Sequence, residues 1–365
     1  MNPFTYGNVV RGKHFADRED EIKTLKSEIK SGQNVVLISP RRYGKTSLVV
    51  NVLERIGLDF LIINLELMTS AADLANFIIR KSLSLSSFEK IKNYLKNLRI
   101  QPAIKINPET GEISVAFTPD KKDLSAYIED ALEFPEKIAR SRNKKIVLVF
   151  DEFQEVRRIS GTLERKMRAI FQHHSNVSYI FIGSQEHMIA DIFQNRKNPF
   201  YKFGKQIVLG KIPEDKFRKF ILSGFKKNGI NAVKIIDLIL ERTENHPYYT
   251  QQLCHEIFNL SGKRKELLPA IIKEAANEIL TNHSADYMRW WREMDNTEKK
   301  LLIGLTIPEK KLTSSDFLKK SGIVSPSTAS SAIRRLLNEG AIIEAEGSFK
   351  IEDPFWKKWI AENRK

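Results

Sequence analysis

The stretch from Asn34 to Val50 constrains the fold of this chain more than any other part of its sequence. An apolar run, Val35–Ser39, precedes a short polar loop, and a second apolar run that can continue a helix follows it. The loop ends in Gly44-Lys45-Thr46-Ser47, the order found where a phosphate-binding loop joins a strand to a helix. The pattern therefore predicts an α/β fold with a parallel sheet core and an anion site after its first strand.

The residues of this loop suit phosphate chemistry one by one. Gly44 lets the backbone turn its N–H groups inward because it has no Cβ. Lys45 can reach β- and γ-phosphates, and the hydroxyl of Thr46 can bind Mg²⁺. Ser39 stands where the pattern G-x-x-x-x-G-K-[ST] asks for glycine, a mild departure. We expect the nucleotide-binding residues to be Pro40, Arg41, Arg42, Tyr43, Gly44, Lys45, Thr46 and Ser47.

A second motif, Lys144–Glu152, has the features of a catalytic strand. Its five apolar residues show no alternation, which indicates a strand buried on both faces. It ends in Asp151 and Glu152, at the edge where α/β sheets place ligand chemistry. We expect Asp151 to hold Mg²⁺ through its water shell and Glu152 to polarise the attacking water. Taken with Lys45, this pair predicts nucleotide hydrolysis, although Asp-Glu is also a common way to end a strand.

Three further runs are predicted strands: Phe60–Leu65, Ser178–Ile182 and Gln206–Leu209. The second of these ends in Gly183-Ser184. Ser184 would lie between Asp151 and the γ-phosphate and could sense it, unless these residues form a simple turn. Residues of about 70–142 look like an insertion, with a hairpin signal on both sides of Pro108–Gly111.

The remainder of the chain predicts two further domains. The apolar spacing turns helical from Pro213, and Pro247 stands at a favoured first-turn position of one helix. From Tyr287 onward, three short helices and two strands read as a winged helix. We therefore place an ATPase-type domain at 1–212, a helical lid at 213–286 and a winged-helix domain at 287–365.

The third helix of the predicted winged helix, Ser327–Asn338, is the element that would enter a DNA groove. It carries Arg334 and Arg335, which are candidates for contacts with DNA or with a protein partner. Basic residues exceed acidic residues only slightly in this domain, so a regulatory or partner-binding module fits as well as a DNA-binding one.

Composition adds three constraints. The formal charge of +15 favours a polyanionic partner, either nucleotide phosphate or nucleic acid. The single cysteine, Cys254, cannot form an internal disulfide, which favours a reducing cytoplasm. No apolar run approaches the roughly 20 residues that a membrane-spanning helix needs.

Together these residues resemble the archaeal-type ATPase family, in the STAND branch of the AAA+-like P-loop NTPases, whose Walker A and Walker B motifs they match. Pro40-Arg41-Arg42 before Gly-Lys-Thr is the most specific piece. The resemblance implies a five-stranded core in the order 5-1-4-3-2, adenine near Arg18, and a lid motif at His246 and Pro247 that touches nucleotide. The matching segments are Phe15–Glu19, Ser39–Ser47, Val149–Phe153, Gly183–Ser184, Pro199–Tyr201 and His246–Pro247.

The favoured interpretation is a slow ATPase that acts as a molecular switch, with ATP or ADP and Mg²⁺ as cofactors. Nucleotide would set the positions of the lid and the winged helix, which requires that the two nucleotides bind two arrangements with different affinity. One alternative is a DNA-associated ATPase, and another is a nucleotide-locked interaction scaffold with little turnover. From the residues alone, Arg18 could equally belong to a capped surface helix, and His246 could be no more than a helix-entry residue.

Overall fold

The computed structural model describes residues 2–16, 18–85, 103–107, 113–116, 123–262, 264–307, 312, 314–345 and 347–364. The chain divides into two compact units. We call Glu19–Ser39 with Lys45–Leu209 the sheet unit. We call Met1–Arg18 with Pro40–Gly44 and Gly210–Lys365 the helical unit.

The sheet unit is built on a parallel five-stranded sheet. Its strands follow the order β2-β5-β6-β1-β7. When only these five strands are numbered along the chain and the sheet is read from the β7 edge, the order is 5-1-4-3-2, which confirms the order implied by the family resemblance. β3 and β4 pair antiparallel in a separate hairpin, as predicted. The strands are β1 Val35–Ile38, β2 Asp59–Asn64, β3 Ala103–Ile106, β4 Ile113–Ala116, β5 Ile146–Asp151, β6 Val177–Gly183 and β7 Lys205–Val208.

The central strands are buried on both faces because helices cover the sheet. All residues of β6, and those of β5 up to Phe150, are buried, as their unbroken apolar runs predict. Leu25 and Ile29 bury the apolar face of the first helix. The helices are α1 Glu19–Lys30, α2 Lys45–Ile56, α3 Ala71–Leu83, α4 Leu124–Arg142, α5 Val156–Ile159, α6 Leu163–Phe171 and α7 Glu186–Gln194.

The segment predicted as an insertion lies between β2 and β5. Its described part consists of α3, the β3–β4 hairpin and α4. The turn predicted at Pro108–Gly111 lies outside the described residues. α4 ends at Arg142, and the next residue, Asn143, adopts the left-handed conformation that closes many helices (φ 50°).

The helical unit combines a helical segment with the predicted winged helix. Three helices followed by the antiparallel pair β8–β9 form the winged helix, and the predicted third helix is α14. The turn residue Glu346 lies outside the described residues. The elements are α8 Glu214–Lys226, α9 Ile236–Arg242, α10 Pro247–Ser261, α11 Ala270–Glu293, α12 Asn296–Leu305, α13 Ser315–Lys320, α14 Pro326–Glu339, β8 Ile342–Ala345, β9 Ser348–Ile351 and α15 Pro354–Asn363.

Local signals fix the ends of these helices. A capping box between Asp295 and Glu298 begins α12, and the side chain of Ser325 caps α14 by accepting from the Thr328 N–H. Buried apolar residues of the helical segment and of the winged helix form one continuous cluster. The two parts of this unit therefore share a core. In the part of the chain that the structure describes, no helix is long and apolar enough to cross a membrane.

Candidate functional site

The end of β5 and the start of α2 bring together two of the predicted site residues. The Thr46 hydroxyl, in the first turn of α2, donates to Asp151 Oδ2 at 2.8 Å. These residues are 105 positions apart in the chain. A hydroxyl and a carboxylate at this separation match the oxygen ligands that Mg²⁺ prefers.

Lys45 is held inside the predicted phosphate-binding loop. Its ammonium donates to the Ser39 carbonyl at 2.9 Å, and only 6% of the residue is exposed. Ser39 is itself fully buried. A buried ammonium needs an acceptor in place of water. Here the acceptor is the backbone carbonyl of Ser39, the residue that stands where the motif has glycine. Two backbone conformations in the left-handed region, at Arg42 (φ 64°) and Gly44 (φ 86°), shape the loop.

Glu152 occupies an uncommon backbone conformation directly after β5. Its φ of 51° and ψ of 50° are left-handed, a conformation that a non-glycine residue adopts at a cost of about 1–3 kcal/mol. Its Oε2 accepts from the Ser184 hydroxyl at 2.6 Å and from Gln154 Nε2 at 2.5 Å. Oε1 accepts no hydrogen bond within the described residues. Glu152 is therefore fixed by one oxygen and presents the other.

Gly183 is needed for this arrangement because of close approach. A Cβ at this position would lie 2.9 Å from Cβ of Ile189 and 3.0 Å from Oε1 of Gln154. A larger residue at the end of β6 would displace Gln154, whose amide holds Glu152. The glycine before the predicted sensor Ser184 thus has a steric role.

The electrostatics at the end of β5 fit a divalent cation. Burial raises the pKa of Asp151 above its ordinary value, and the charge of Glu152 adds to this effect. The hydrogen bond from Thr46 and the charge of Lys45 oppose the rise. Within the described residues no group of three or more His, Cys, Asp or Glu side chains could hold a metal. Mg²⁺ commonly takes one or two carboxylates plus phosphate oxygens and water, so Thr46 and Asp151 would suffice if a Mg²⁺–nucleotide complex were bound here.

The loop Pro40–Gly44 has a separate set of partners within the helical unit. The guanidinium of Arg18, only 3% exposed, donates to the carbonyl of Tyr43 at 3.2 Å. The ring of Tyr43 meets the ring of His246 edge to face at 4.8 Å. Two of the predicted nucleotide-binding residues, Arg18 and His246, thus contact the loop itself.

Arg42 is engaged by two neighbouring tyrosines of α10. Its Nη1 donates to the hydroxyl of Tyr249 at 2.6 Å, and its guanidinium carbon lies 4.9 Å from the centre of the Tyr248 ring. Partial burial of the guanidinium lowers the pKa of Arg42, but Tyr249 and the carboxylates of Glu352 and Asp353 outweigh this effect and raise that pKa. The charge of Arg42 is thus stabilised by acidic groups of the winged helix.

Glu352, between β9 and α15, joins these contacts. Its Oε1 lies 2.9 Å from His246 Nε2, and its Oε2 accepts from the Tyr249 hydroxyl at 3.1 Å. Nδ1 of His246 accepts from the Tyr248 N–H, so the ring proton is on Nε2 and is donated to Glu352. We call Arg42, His246, Tyr249 and Glu352 the loop cluster.

The remaining predicted residues take different positions. Pro247 is buried at the first position of α10, Ser47 is buried in α2, and Arg41 is exposed. Arg335 is bound by its own domain, pairing with Glu298 at 2.7 Å and also with Asp295. Arg334 is exposed on α14. The two arginines therefore differ in how freely they can meet a partner.

Sequence reasoning missed three residues that the structure brings to these clusters. Gln154 had a weak signal, since it follows Glu152 by two positions. Tyr249 is adjacent to the predicted lid motif, but it reads as one of many apolar residues of a helix. Glu352 had no signal, because its partners lie 103 and 106 positions away.

Many solved structures share this fold, and for the three described here the low sequence identity limits the likeness to the fold alone. The Walker-type ATPase of Pyrococcus abyssi is 16% identical, with a TM-score of 0.70 over 98% of this chain and 99% of that one. The ORC2 protein of Aeropyrum pernix, solved as ADPNP–ADP complexes, is 13% identical, with a TM-score of 0.59 over 94% and 92%. The ORC1 protein of Aeropyrum pernix in complex with DNA is 12% identical, with a TM-score of 0.51 over 98% and 94%. No curated protein matches the sequence significantly.

Two family models match consecutive parts of the chain. One, described as a probable winged helix domain, matches residues 285–362. The other, described as an ATPase domain predominantly from Archaea, matches residues 15–253 and so includes Lys45, Asp151 and His246. The chain therefore belongs to the family of ATPase domains found predominantly in Archaea, and it is an ATP-hydrolysing enzyme with a winged-helix domain following the ATPase domain.

Proposed function

We propose that this ATPase is a nucleotide-dependent switch that binds ATP with Mg²⁺ and hydrolyses it at the end of β5. The observation that carries the proposal is the pair of contacts Thr46–Asp151 and Ser184–Glu152, at 2.8 and 2.6 Å. They support the assignment of Asp151 as a metal-binding carboxylate and of Glu152 as a catalytic carboxylate, at adjacent positions of one strand end.

Nucleotide binding is assigned to the loop and its flanks. The backbone of Arg41–Gly44 and the helix start at Lys45–Ser47 offer N–H donors, and the Lys45 ammonium would supply a charge for the β- and γ-phosphates. Thr46 and Asp151 would hold Mg²⁺, which neutralises phosphate charge when bound. Arg18, His246 and Pro247 would form the part of the site that meets the rest of the nucleotide.

Hydrolysis is assigned to Glu152 as the residue that polarises water. Because Ser184 and Gln154 occupy its Oε2, the carboxylate keeps one orientation and leaves Oε1 for a water molecule. A positioned base of this kind contributes typically about 10²–10⁴-fold to a rate. Ser184, which follows β6 directly and donates to this carboxylate, would report the presence of the γ-phosphate.

The switch is assigned to the loop cluster. Arg42 belongs to the loop that would cradle phosphates, yet its guanidinium donates to Tyr249, which in turn donates to Glu352. Bound phosphate would compete with Tyr249 for the charge of Arg42. ATP and ADP can bias the winged helix through Glu352 only if they engage Arg42 differently, which is the condition for a population shift.

A single-turnover measurement tests the catalytic assignment. Wild type and Glu152→Gln are mixed with radiolabelled ATP and Mg²⁺, with the protein in excess, and ADP is followed over time. We expect the variant to bind ATP normally and to hydrolyse it about 100-fold more slowly, because its amide cannot accept a proton.

Glu155→Gln is the matched control, since Glu155 pairs with Arg158 at 2.7 Å and has no place in the site. It should retain wild-type turnover. A fully active Glu152→Gln variant would remove Glu152 from the mechanism.

A DNA-associated ATPase is the second candidate, and the exposure of Arg334 on α14 favours it. Duplex DNA added to the same assay would then accelerate turnover. Arg334→Ala should weaken DNA binding and reduce its salt dependence, because a phosphate contact releases a counterion. An ATP hydrolysis rate that is unchanged by DNA would favour the switch, with a protein as the partner.

A further inference from the structure

A cavity of about 600 Å³ in the helical unit has an unusual charge balance. It is lined by parts of α9, α11 and α15. Three cations, Arg242, Lys273 and Lys358, line it together with one carboxylate, Glu241. The cavity is therefore cationic, and none of these residues belongs to the ATPase chemistry described above.

Arg242 is the distinctive residue of this cavity. Its Nε and Nη2 are enclosed and have no hydrogen-bond partner within the described ranges. Arg142, which also has an unpartnered nitrogen, differs because it pairs with Asp59 at 2.7 Å. Burial lowers the pKa of Arg242, partly offset by the charge of Glu362. A guanidinium stays protonated in proteins, so Arg242 is a partly buried cation that lacks a bonded counter-charge.

The two lysines add unequally to the positive charge of the cavity. Lys273 is exposed at the start of α11 and has no ion pair among the described residues. Lys358 is partly neutralised by Glu362, whose carboxylate lies 3.4 Å away. Arg242 and Lys273 are therefore the groups that would receive an added oxyanion.

The walls of the cavity are apolar. Leu238, Ile272 and Phe355 line it, and Leu238 leaves 40% of its surface exposed. Leu268, directly before the lining residue Pro269, is 58% exposed. Exposed apolar residues around a concave charged site are typical of a protein-binding surface.

We propose that this cavity binds an acidic and apolar segment of a partner protein, with a carboxylate on Arg242 and Lys273 and an apolar side chain against Leu238. The positive charges of Arg242 and Lys273 favour an acidic residue of the partner, and the apolar walls favour an apolar residue next to it. A cavity of this volume exceeds the needs of a lone phosphate. A nucleic acid backbone would gain little from the apolar walls, because its affinity comes from neutralised phosphates.

The test uses the full chain and a dye-labelled peptide that alternates glutamate with leucine and phenylalanine. A matched peptide carries glutamine in place of each glutamate. Fluorescence anisotropy should show that wild type binds the glutamate peptide about tenfold more tightly, since a charge-assisted pair with a desolvated cation is strong. Arg242→Leu should remove this preference, and Lys273→Ala should reduce it about threefold.

Lys226→Ala, on the exposed face of α8 and away from the cavity, is the control and should bind as wild type does. Thermal unfolding separates binding from folding. Because Arg242 has no bonded partner to lose, Arg242→Leu should melt at or above the wild-type temperature. A lower melting temperature would show that the arginine is structural, and the proposal would then rest on Lys273→Ala.

Three results would overturn the proposal: equal affinity for both peptides, unchanged binding by both variants, or competition by inorganic phosphate at the same strength as by the peptide. Displacement by duplex DNA, with binding of DNA lost in Arg242→Leu, would assign the cavity to nucleic acid instead.

Discussion

The cluster at the end of β5 and the loop cluster are assembled in different ways. Thr46, Asp151 and Ser184 each stand directly at a strand end or a helix start, and their positions follow from the order of the parallel strands. In the loop cluster, Arg42 and Glu352 reach Tyr249 across 207 and 103 positions. Backbone topology thus builds the first cluster, while side-chain hydrogen bonds hold the second.

This difference suggests a division of roles. Residues whose positions are fixed by a buried sheet are suited to chemistry, since their geometry is held before substrate arrives. A cluster that depends on a few hydrogen bonds of about 1 kcal/mol each can change arrangement at modest energetic cost. We therefore expect substitutions at the β5 end to change binding or rate strongly, and substitutions in the loop cluster to shift affinity without abolishing chemistry.

The largest expected effect is that of Lys45→Ala. The variant loses the charge that we assign to the β- and γ-phosphates, and ATP affinity should fall by about 100-fold or more, in line with the loss of a desolvated charged contact. Isothermal titration with ATP and Mg²⁺ measures it.

Lys30→Ala, an exposed lysine at the end of α1, is the matched control for net charge. It should leave affinity unchanged. If Lys45→Ala bound ATP as tightly as wild type, the assignment of the loop itself would fail, and with it the contrast between the two clusters.

A smaller effect is expected for Tyr249→Phe. The substitution keeps the ring and removes only the hydroxyl that joins Arg42 to Glu352. If phosphate competes with Tyr249 for Arg42, freeing Arg42 from the Tyr249 hydroxyl should raise ATP affinity by about three- to tenfold, the equivalent of one hydrogen bond. Single-turnover hydrolysis should keep its wild-type rate.

Tyr248→Phe is the matched control, because it keeps the ring that faces Arg42 and alters no bond of the loop cluster. It should leave ATP affinity unchanged. Equal affinity of Tyr249→Phe and wild type would show that the loop cluster is structural only.

The sequence was sufficient to predict the sheet and its chemistry because both depend on local patterns. Unbroken apolar runs indicated buried strands, and the motifs at Lys45 and Asp151 indicated the strand and helix ends where Thr46 and Asp151 meet. The loop cluster could not be predicted, because a lone Glu352 before a helix has the same local pattern whether or not it binds Tyr249. Gln154 and the constraint at Gly183 were hidden for the same reason: each depends on how side chains meet in the folded structure.

The smallest expected effect concerns stability at the β5 end. Burial raises the pKa of Asp151, so the fold disfavours its ionised form; this destabilisation is complete above the folded pKa and disappears as the pH falls below the ordinary value. Asp151→Asn should therefore raise the free energy of unfolding of the nucleotide-free protein at pH 7 by about 1 kcal/mol, the usual scale for relieving such a site. This gain in stability should vanish in acid.

Asp191→Asn provides a control of opposite sign, since hydrogen bonds from Asn195 and Arg157 lower the pKa of Asp191. Its ionised form stabilises the fold above the ordinary pKa, so that variant should be less stable at pH 7. Urea unfolding of both variants at pH 7 and in acid measures these changes, and a destabilised Asp151→Asn would mean that the carboxylate supports the fold.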